Sequence, residues 1–188
     1  TGGEDHRHLH RLRSLVDAVV VGASTVIADD CRLTVREVPG PNPTRVVLDP
    51  GARVPPTASV LSNPEARTLW LVGASAPADL AAAAHVKVVR MRTDGPFPPA
   101  DVVRVLLDRG LGRVLVEGGG RLVSSFVTAG AVDRLFITVA PVLIGDGVPG
   151  LRFAGADALT DARRGRPRSF RLGDDVCVEL NLRAPARR

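Results

Sequence analysis

Two patterns of apolar residues alternate along the chain. Apolar side chains recur every three or four positions in residues 6–16 and 100–109, the spacing of an amphipathic helix, and Gly110 ends the second of these. Residues 78–84 are rich in alanine, which also favours a helix. Short runs of apolar, mostly β-branched residues predict strands at residues 17–22, 44–49, 68–72, 86–89, 113–116 and 134–140.

The order of these elements indicates the fold class. Strands that alternate with helices predict an α/β fold in three layers, α/β/α, around a mostly parallel sheet. Near the C-terminus, residues 170–172 and 176–182 flank the turn signal Gly173-Asp174-Asp175, which predicts an antiparallel hairpin at the edge of one mixed sheet. Because no internal repeat or long linker interrupts the pattern, residues 1–188 are expected to form a single domain.

A glycine turn, Gly118-Gly119-Gly120, stands between the strand at residues 113–116 and a further helical pattern. The free N–H groups of a helix's first turn favour an anion, and glycines let a phosphate approach closely. A plain chain reversal is the alternative, because the strict dinucleotide fingerprint and the Walker lysine are both absent. The small residues Gly22-Ala23-Ser24-Thr25 also follow a predicted strand, where open α/β sheets bind ligands.

Composition and charge exclude several classes of protein. With 188 residues, 45% of them hydrophobic, the chain is long enough to bury a substantial core, and no apolar run is long enough to span a membrane. A net charge of +5 raises nucleic acid as a partner. However, the arginines are spread along the chain and only 3% of residues are aromatic, so neither nucleic acid nor a membrane is an expected partner.

The few cysteines and histidines do not suggest a metal site. Cys31 and Cys177 are too few for a disulfide framework and lack metal-ligand spacing, which favours the reducing cytoplasm. His6, His8 and His10 are two residues apart and do not share one face of a helix.

Several segments, taken in order, resemble one known family. They are Leu12-Arg13, residues 17–30, Leu33-Thr34-Val35-Arg36, Val46-Val47-Leu48-Asp49, Val116-Glu117-Gly118-Gly119-Gly120, residues 129–133 and residues 140–145. Together they resemble the pyrimidine reductase of riboflavin biosynthesis, the family of the RibD C-terminal domain, which has the dihydrofolate-reductase-like fold. The resemblance implies an NADPH-dependent reduction of 5-amino-6-(5-phosphoribosylamino)uracil, in which hydride reaches C1′ of the open ribose. It also implies a homodimer.

The resemblance assigns site residues position by position. The cofactor would contact Thr25, Asp29, Gly118, Gly119, Gly120, Arg121, Leu122, Val123, Ser124 and Ser125. The substrate would contact Arg13, Arg32, Arg36 and Glu117, with Arg32 acting mainly through its backbone. Glu117 and Asp29 are the candidate catalytic residues. These roles suit the residue types, because the fixed fork of arginine matches a phosphate and a carboxylate can accept protons near the reacting carbon.

Alternatives and departures from the family pattern stay open. Arg13 could be a solvated charge on a helix, and Asp29 could cap a short helix or turn. Cys31 stands where the family commonly has proline, and the family's first strand is expected before Thr1. The same fold could also serve a non-catalytic nucleotide-binding module, or a reductase of the non-deaminated diaminopyrimidine or of a pterin-like substrate.

Overall fold

The computed structural model describes residues 1–80 and 82–183. Its helices are α1 (Gly3–Ser14), α2 (Ala23–Asp29), α3 (Ser59–Ser62), α4 (Pro99–Leu107) and α5 (Gly120–Thr128). Its strands are β1 (Ala18–Gly22), β2 (Thr44–Asp49), β3 (Thr68–Val72), β4 (Val86–Arg90), β5 (Val114–Val116), β6 (Arg134–Val139), β7 (Arg166–Leu172) and β8 (Asp175–Asn181).

The first five strands form a parallel sheet in the order β4-β3-β2-β1-β5. Val20 of β1 lies opposite Val46 of β2 and Val116 of β5, which fixes the register in the middle of the sheet. Both faces of the sheet are covered, as the unbroken apolar strands predicted. On one face of the sheet, α2 and α3 pack against side chains of the central strands, namely Val19, Val21, Val47 and Trp70. On the other face, Val102 and Leu106 of α4 and Phe126 of α5 pack against Val20, Val46 and Leu71. The three-layer prediction is therefore confirmed.

The last three strands form a second, antiparallel sheet in the order β6-β8-β7. The hairpin of β7 and β8 confirms the turn predicted at Gly173, where φ is +66°. In contrast to the prediction of one mixed sheet, these strands pair with one another and not with the parallel sheet. The α1 helix packs on this small sheet, with the His8 ring edge-on to Phe136 and Phe170 at centroid distances of 5.8 and 5.2 Å.

The prediction of a helix over residues 78–84 is wrong for the part of that segment that the structure describes. Residues 78–80 and 82–84 lie in turns and irregular chain. A seven-residue alanine segment buries little apolar surface, so nothing offsets the cost of helix nucleation. The segment just before it is held instead by Arg90, whose guanidinium donates to the Ala76 and Pro77 carbonyls at 2.6 and 2.5 Å.

Two short helices, α2 and α3, were not predicted, because seven and four residues are too few to show helical periodicity. Asp30 joins them. It ends α2 in the left-handed region with φ of +42°, and its carboxylate accepts hydrogen bonds from the Ser59 N–H and hydroxyl at 2.7 and 2.9 Å. These two bonds hold the pKa of Asp30 below its usual value. The carboxylate that caps a short helix is thus Asp30, at the start of α3, whereas the Asp29 side chain is exposed.

Candidate functional site

The candidate site lies where β1 and β5 end side by side. The strand order reverses at this pair, because β2, β3 and β4 follow β1 in one direction whereas β5 lies on its other side. Open α/β sheets bind ligands outside the carboxyl ends of the strands at such a point. The α2 helix begins directly after β1, and the glycine turn follows β5, so both predicted ligand-binding segments meet at this edge.

Thr25 and the glycine turn are in direct contact. The Gly119 N–H donates to the Thr25 hydroxyl oxygen at 3.3 Å. Gly118 adopts φ of +116°, a conformation that favours glycine. A Cβ there would also lie only 3.1 Å from the same oxygen, so a larger residue would be crowded as well as strained. Gly119 is different. It is the N-cap of α5 in extended conformation, and the nearest atom to a Cβ there would be the Thr25 hydroxyl oxygen at 3.9 Å.

Gly120 leaves room for the protein's own chain. A Cβ on Gly120 would lie 2.5 Å from the Gly150 carbonyl oxygen and 2.8 Å from that of Pro149. Farther along α5, the Ser124 side chain is 3% exposed, and its hydroxyl accepts a hydrogen bond from the Arg152 N–H at 2.6 Å. The residues at 149–152 therefore lie against α5, and the open part of the predicted phosphate site is at Gly118 and Gly119.

The remaining cofactor candidates on α5 divide by exposure. Arg121 and Ser125 are exposed, whereas Leu122 and Val123 are half-buried. Ser125 donates its hydroxyl to the Leu122 carbonyl at 2.7 Å. The exposed Gly118 and Gly119, the N-terminal turn of α5 and the neighbouring Thr25 hydroxyl fit the phosphates of a nicotinamide cofactor.

Arg13 and Glu117 form a two-pronged ion pair across the site. Nε and Nη2 of Arg13 donate to Oε1 and Oε2 of Glu117 at 2.8 and 2.7 Å, and the two side chains are 9% and 13% exposed. Nη1 of Arg13 donates to the Thr34 carbonyl at 3.2 Å. Arg13 on α1 is therefore not a solvated charge. Its three hydrogen bonds go to Glu117 and to the main chain at Thr34, which lie 104 and 21 positions away in the sequence.

Residues 33–37, here called the arginine segment, carry the second predicted substrate ligand. The Arg36 side chain is exposed, and its Nη1 donates to the Thr34 hydroxyl oxygen at 2.9 Å. Among the described residues, Thr34 is the only hydrogen-bond partner of the Arg36 guanidinium, so its other N–H groups can bind a ligand. Arg32, just before the segment, is also exposed.

The half-buried Cys31 thiol responds to the charges of several candidate site residues. Burial raises the pKa of the Cys31 thiol, the charges of Glu117 and Asp29 raise it further, and Arg13 acts in the opposite direction. Of these three candidates, Arg13 and Glu117 are joined directly by hydrogen bonds.

The sequence analysis assigned no role in the site to three residues that shape the arginine segment. Asn42 accepts a hydrogen bond from the Val35 N–H at 2.7 Å, and the His10 ring accepts one from the Arg36 N–H at 2.8 Å. Thr34 is 1% exposed, and it accepts one hydrogen bond from Arg13 at its carbonyl oxygen and one from Arg36 at its hydroxyl oxygen. One signal was available for His10, because it stands three residues before Arg13 and so shares its face of α1.

In the described part of the chain, no group of three or more His, Cys, Asp or Glu side chains is placed to hold a metal ion. No helix within those residues has the length and apolar character needed to cross a membrane.

The chain is similar to known proteins over most of its length. Residues 1–177 match the family model for the RibD C-terminal domain. The 2,5-diamino-6-ribosylamino-4(3H)-pyrimidinone 5′-phosphate reductase of Methanothermobacter thermautotrophicus is 40% identical, over 97% of this chain and 88% of that protein. The riboflavin biosynthesis protein RibD of Mycobacterium tuberculosis is 37% identical, over 93% of this chain and 45% of that protein.

The solved structures give the same result for the fold. RibD of Acinetobacter baumannii superimposes with a TM-score of 0.80 at 28% identity, covering 96% of this chain and 51% of that one. The fold expected from the resemblance is confirmed. The chain spans about half the length of the RibD proteins that it matches, and most of the archaeal reductase.

Proposed function

The chain belongs to the RibD C-terminal domain family, and from this we propose that it is an NADPH-dependent reductase of riboflavin biosynthesis. The reaction is the reduction of a phosphorylated ribosylaminopyrimidine to its ribitylamino form. The observation that carries the proposal is the convergence of three features at the carboxyl ends of β1 and β5. They are the open glycine turn, the paired Glu117 carboxylate and the exposed Arg36 guanidinium.

The reaction sets the demands on the site. In the open form of the ribose, C1′ is doubly bonded to the amino nitrogen. Reduction adds a hydride to C1′ and a proton to the nitrogen, and the ribitylamino product results. When bound, NADPH supplies the hydride. The protein must hold the phosphate of the substrate and orient the sugar so that C1′ faces the hydride donor.

Arg36 is proposed to hold the substrate's phosphate. Its guanidinium is exposed and has donors left over after its bond to Thr34, and a planar fork of N–H donors matches phosphate oxygens. Arg32, also exposed, lies beside the same segment and is proposed to contact the substrate through its main chain.

Glu117 is proposed to accept hydrogen bonds from the sugar near C1′. Each of its oxygens already receives one N–H of Arg13, and a carboxylate oxygen has a further lone pair for a hydroxyl. Arg13 is proposed to act through Glu117, because three of its five N–H groups are bonded to Glu117 and Thr34 and its side chain, 9% exposed, has little surface for a phosphate. Asp29, exposed at the end of α2, is proposed to act near the reacting carbon.

The cofactor is proposed to be NADPH, held by Thr25 and by the main chain at Gly118 and Gly119. The first-turn amides of α5 and the positive end of its dipole would neutralise phosphate charge there. Ser124 is directed toward Arg152 and is proposed to support the residues at 149–152.

Two substrates remain to be compared by experiment. The resemblance implies 5-amino-6-(5-phosphoribosylamino)uracil, whereas the archaeal relative is named for the non-deaminated diaminopyrimidinone. They differ in one ring substituent and share the ribose phosphate that Arg36 would bind. Steady-state assays with each compound, at saturating NADPH, test the proposal. Turnover of either supports it, and the ratio of the two kcat/KM values assigns the substrate; no turnover of either contradicts it.

A homodimer is also proposed. Between β6 and β7, several large apolar side chains are exposed, among them Val142 (64%), Leu143 (103%), Ile144 (81%) and Val148 (88%). Apolar side chains exposed together are typical of an interface. We propose that a second copy of the chain covers them.

A further inference from the structure

We infer that His10 is a positioning residue, which directs the Arg36 guanidinium at the substrate phosphate by holding the main chain of the arginine segment. The inference rests on the proposed function, in which Arg36 binds that phosphate. His10 itself would touch neither substrate nor cofactor. Its effect on the reaction would pass entirely through the main chain at Arg36 and Glu37.

The arginine segment has no regular secondary structure, so its main-chain groups lack the partners that a helix or strand provides. Side chains satisfy them instead. The Thr34 carbonyl accepts from Arg13, the Val35 N–H donates to Asn42, and the Arg36 N–H donates to Nδ1 of His10 at 2.8 Å. The shape of the segment is thus set by side chains from elsewhere in the fold.

The same nitrogen of His10 also faces the Glu37 N–H, at 3.4 Å. Two N–H groups that converge on Nδ1 require a bare nitrogen there, so the ring must carry its proton on Nε2. His10 is 5% exposed and stands one turn before Arg13 on α1. One face of this helix therefore fastens the arginine segment at two points, Thr34 and Arg36.

The surroundings favour the neutral ring that this geometry needs. Burial lowers the pKa of His10, and the positive charges of Arg13 on its own helix and of Arg36 on the segment lower it further. Glu37 and Glu117 act in the opposite direction and are weaker. Protonation of Nδ1 in acid would place an N–H against the two donors, and the main chain at Arg36 would be released.

The test uses substitutions that separate the acceptor from the rest of the ring. In His10→Asn, the side-chain oxygen can take the place of Nδ1 and does not titrate. In His10→Leu, the volume is kept and the acceptor is lost. We expect the substrate KM of the leucine variant to rise about tenfold. The asparagine variant should stay within about threefold of the parent, and the KM for NADPH should not change in either.

A pH series separates positioning from simple stability. The substrate phosphate also gains a proton as the pH falls, and this changes the KM of every variant. The quantity compared is therefore the ratio of the substrate KM of the parent to that of His10→Asn at each pH. The parent is expected to lose substrate affinity relative to the asparagine variant as the pH falls. An equal rise of both KM values in His10→Leu would overturn the inference. His6→Leu, an exposed histidine on the same helix, is the control and should change neither KM.

Two further measurements keep the test independent of the proposed function and of folding. If neither pyrimidine is turned over, the proposed function fails, but calorimetry with ribose 5-phosphate still reads the effect of His10 on phosphate binding. If His10→Leu does not fold, His10→Gln replaces it, because its amide oxygen lies beyond the position of Nδ1. Nitrogen-15 spectra of the ring should show Nδ1 without a proton at neutral pH; a protonated Nδ1 would overturn the inference.

Discussion

Replacement of Glu117 by alanine is expected to destabilise the protein, because it leaves the Arg13 guanidinium buried without its counter-ion. Arg13 is 9% exposed at its side chain and donates two of its bonds to Glu117 at 2.8 and 2.7 Å. Loss of one partner of a buried ion pair costs about 3–5 kcal/mol. The Thr34 carbonyl still accepts one bond in the variant, so the lower end, about 3 kcal/mol, is expected.

The expected loss can be measured by thermal and denaturant unfolding. For a domain of this length, about 3 kcal/mol corresponds to a fall in Tm of roughly 6–12 °C. A double-mutant cycle with Arg13→Ala isolates the pair, since it subtracts the packing lost by each single substitution. The coupling free energy is expected to be about 2 kcal/mol, because the double variant leaves no unpaired charge.

A surface ion pair on the same helix provides the control. Arg7 pairs with Glu4 at 2.8 Å, but both side chains are 47% exposed, so Arg7→Ala should change the free energy of unfolding by less than about 0.5 kcal/mol. A coupling free energy between Arg13 and Glu117 no larger than this would refute the reasoning, since it would mean that the pair is not held in the geometry described.

Three further predictions concern ligands and assembly. Gly119→Val should weaken NADPH binding roughly 10- to 150-fold by calorimetry, because it fills open space at the N-terminus of α5, whereas Gly112→Val, also in open space, should not. Arg36→Ala should raise the substrate KM by a similar factor and leave that of NADPH unchanged; the reverse pattern would exchange the two assignments. Sedimentation at micromolar concentration should show a dimer, and Leu143→Asp should shift it toward monomer; a monomeric parent would contradict the proposed interface.

The parallel sheet could be predicted from the sequence because its three central strands, β1, β2 and β3, are almost fully buried and therefore mostly apolar. The predicted bounds of β2 and β3 agree with the structure, residue for residue. The helix predicted for the alanine-rich residues 78–84 was wrong, because helix propensity without an apolar face to bury is a weak signal. The separation of β6, β7 and β8 into their own sheet depends on strand pairing, which local patterns do not encode.

The candidate site could be predicted only in part. The glycine turn and its neighbour Thr25 are visible as small residues at strand ends, and the structure brings them into contact. The pairing of Arg13 with Glu117 spans 104 positions, and no local pattern reveals which carboxylate an arginine meets. Nor could the sequence show that Gly120 accommodates the chain at Gly150.

We propose that this chain transfers a hydride from NADPH to C1′ of a phosphorylated ribosylaminopyrimidine. NADPH in which both hydrogens at C4 of the nicotinamide are replaced by deuterium tests this directly, with both pyrimidines offered separately and the product analysed by mass spectrometry and NMR. We expect one deuterium at C1′ of the ribitylamino product for each NADPH oxidised. Oxidation of NADPH without deuterium at C1′, or the absence of product from both pyrimidines, would contradict it.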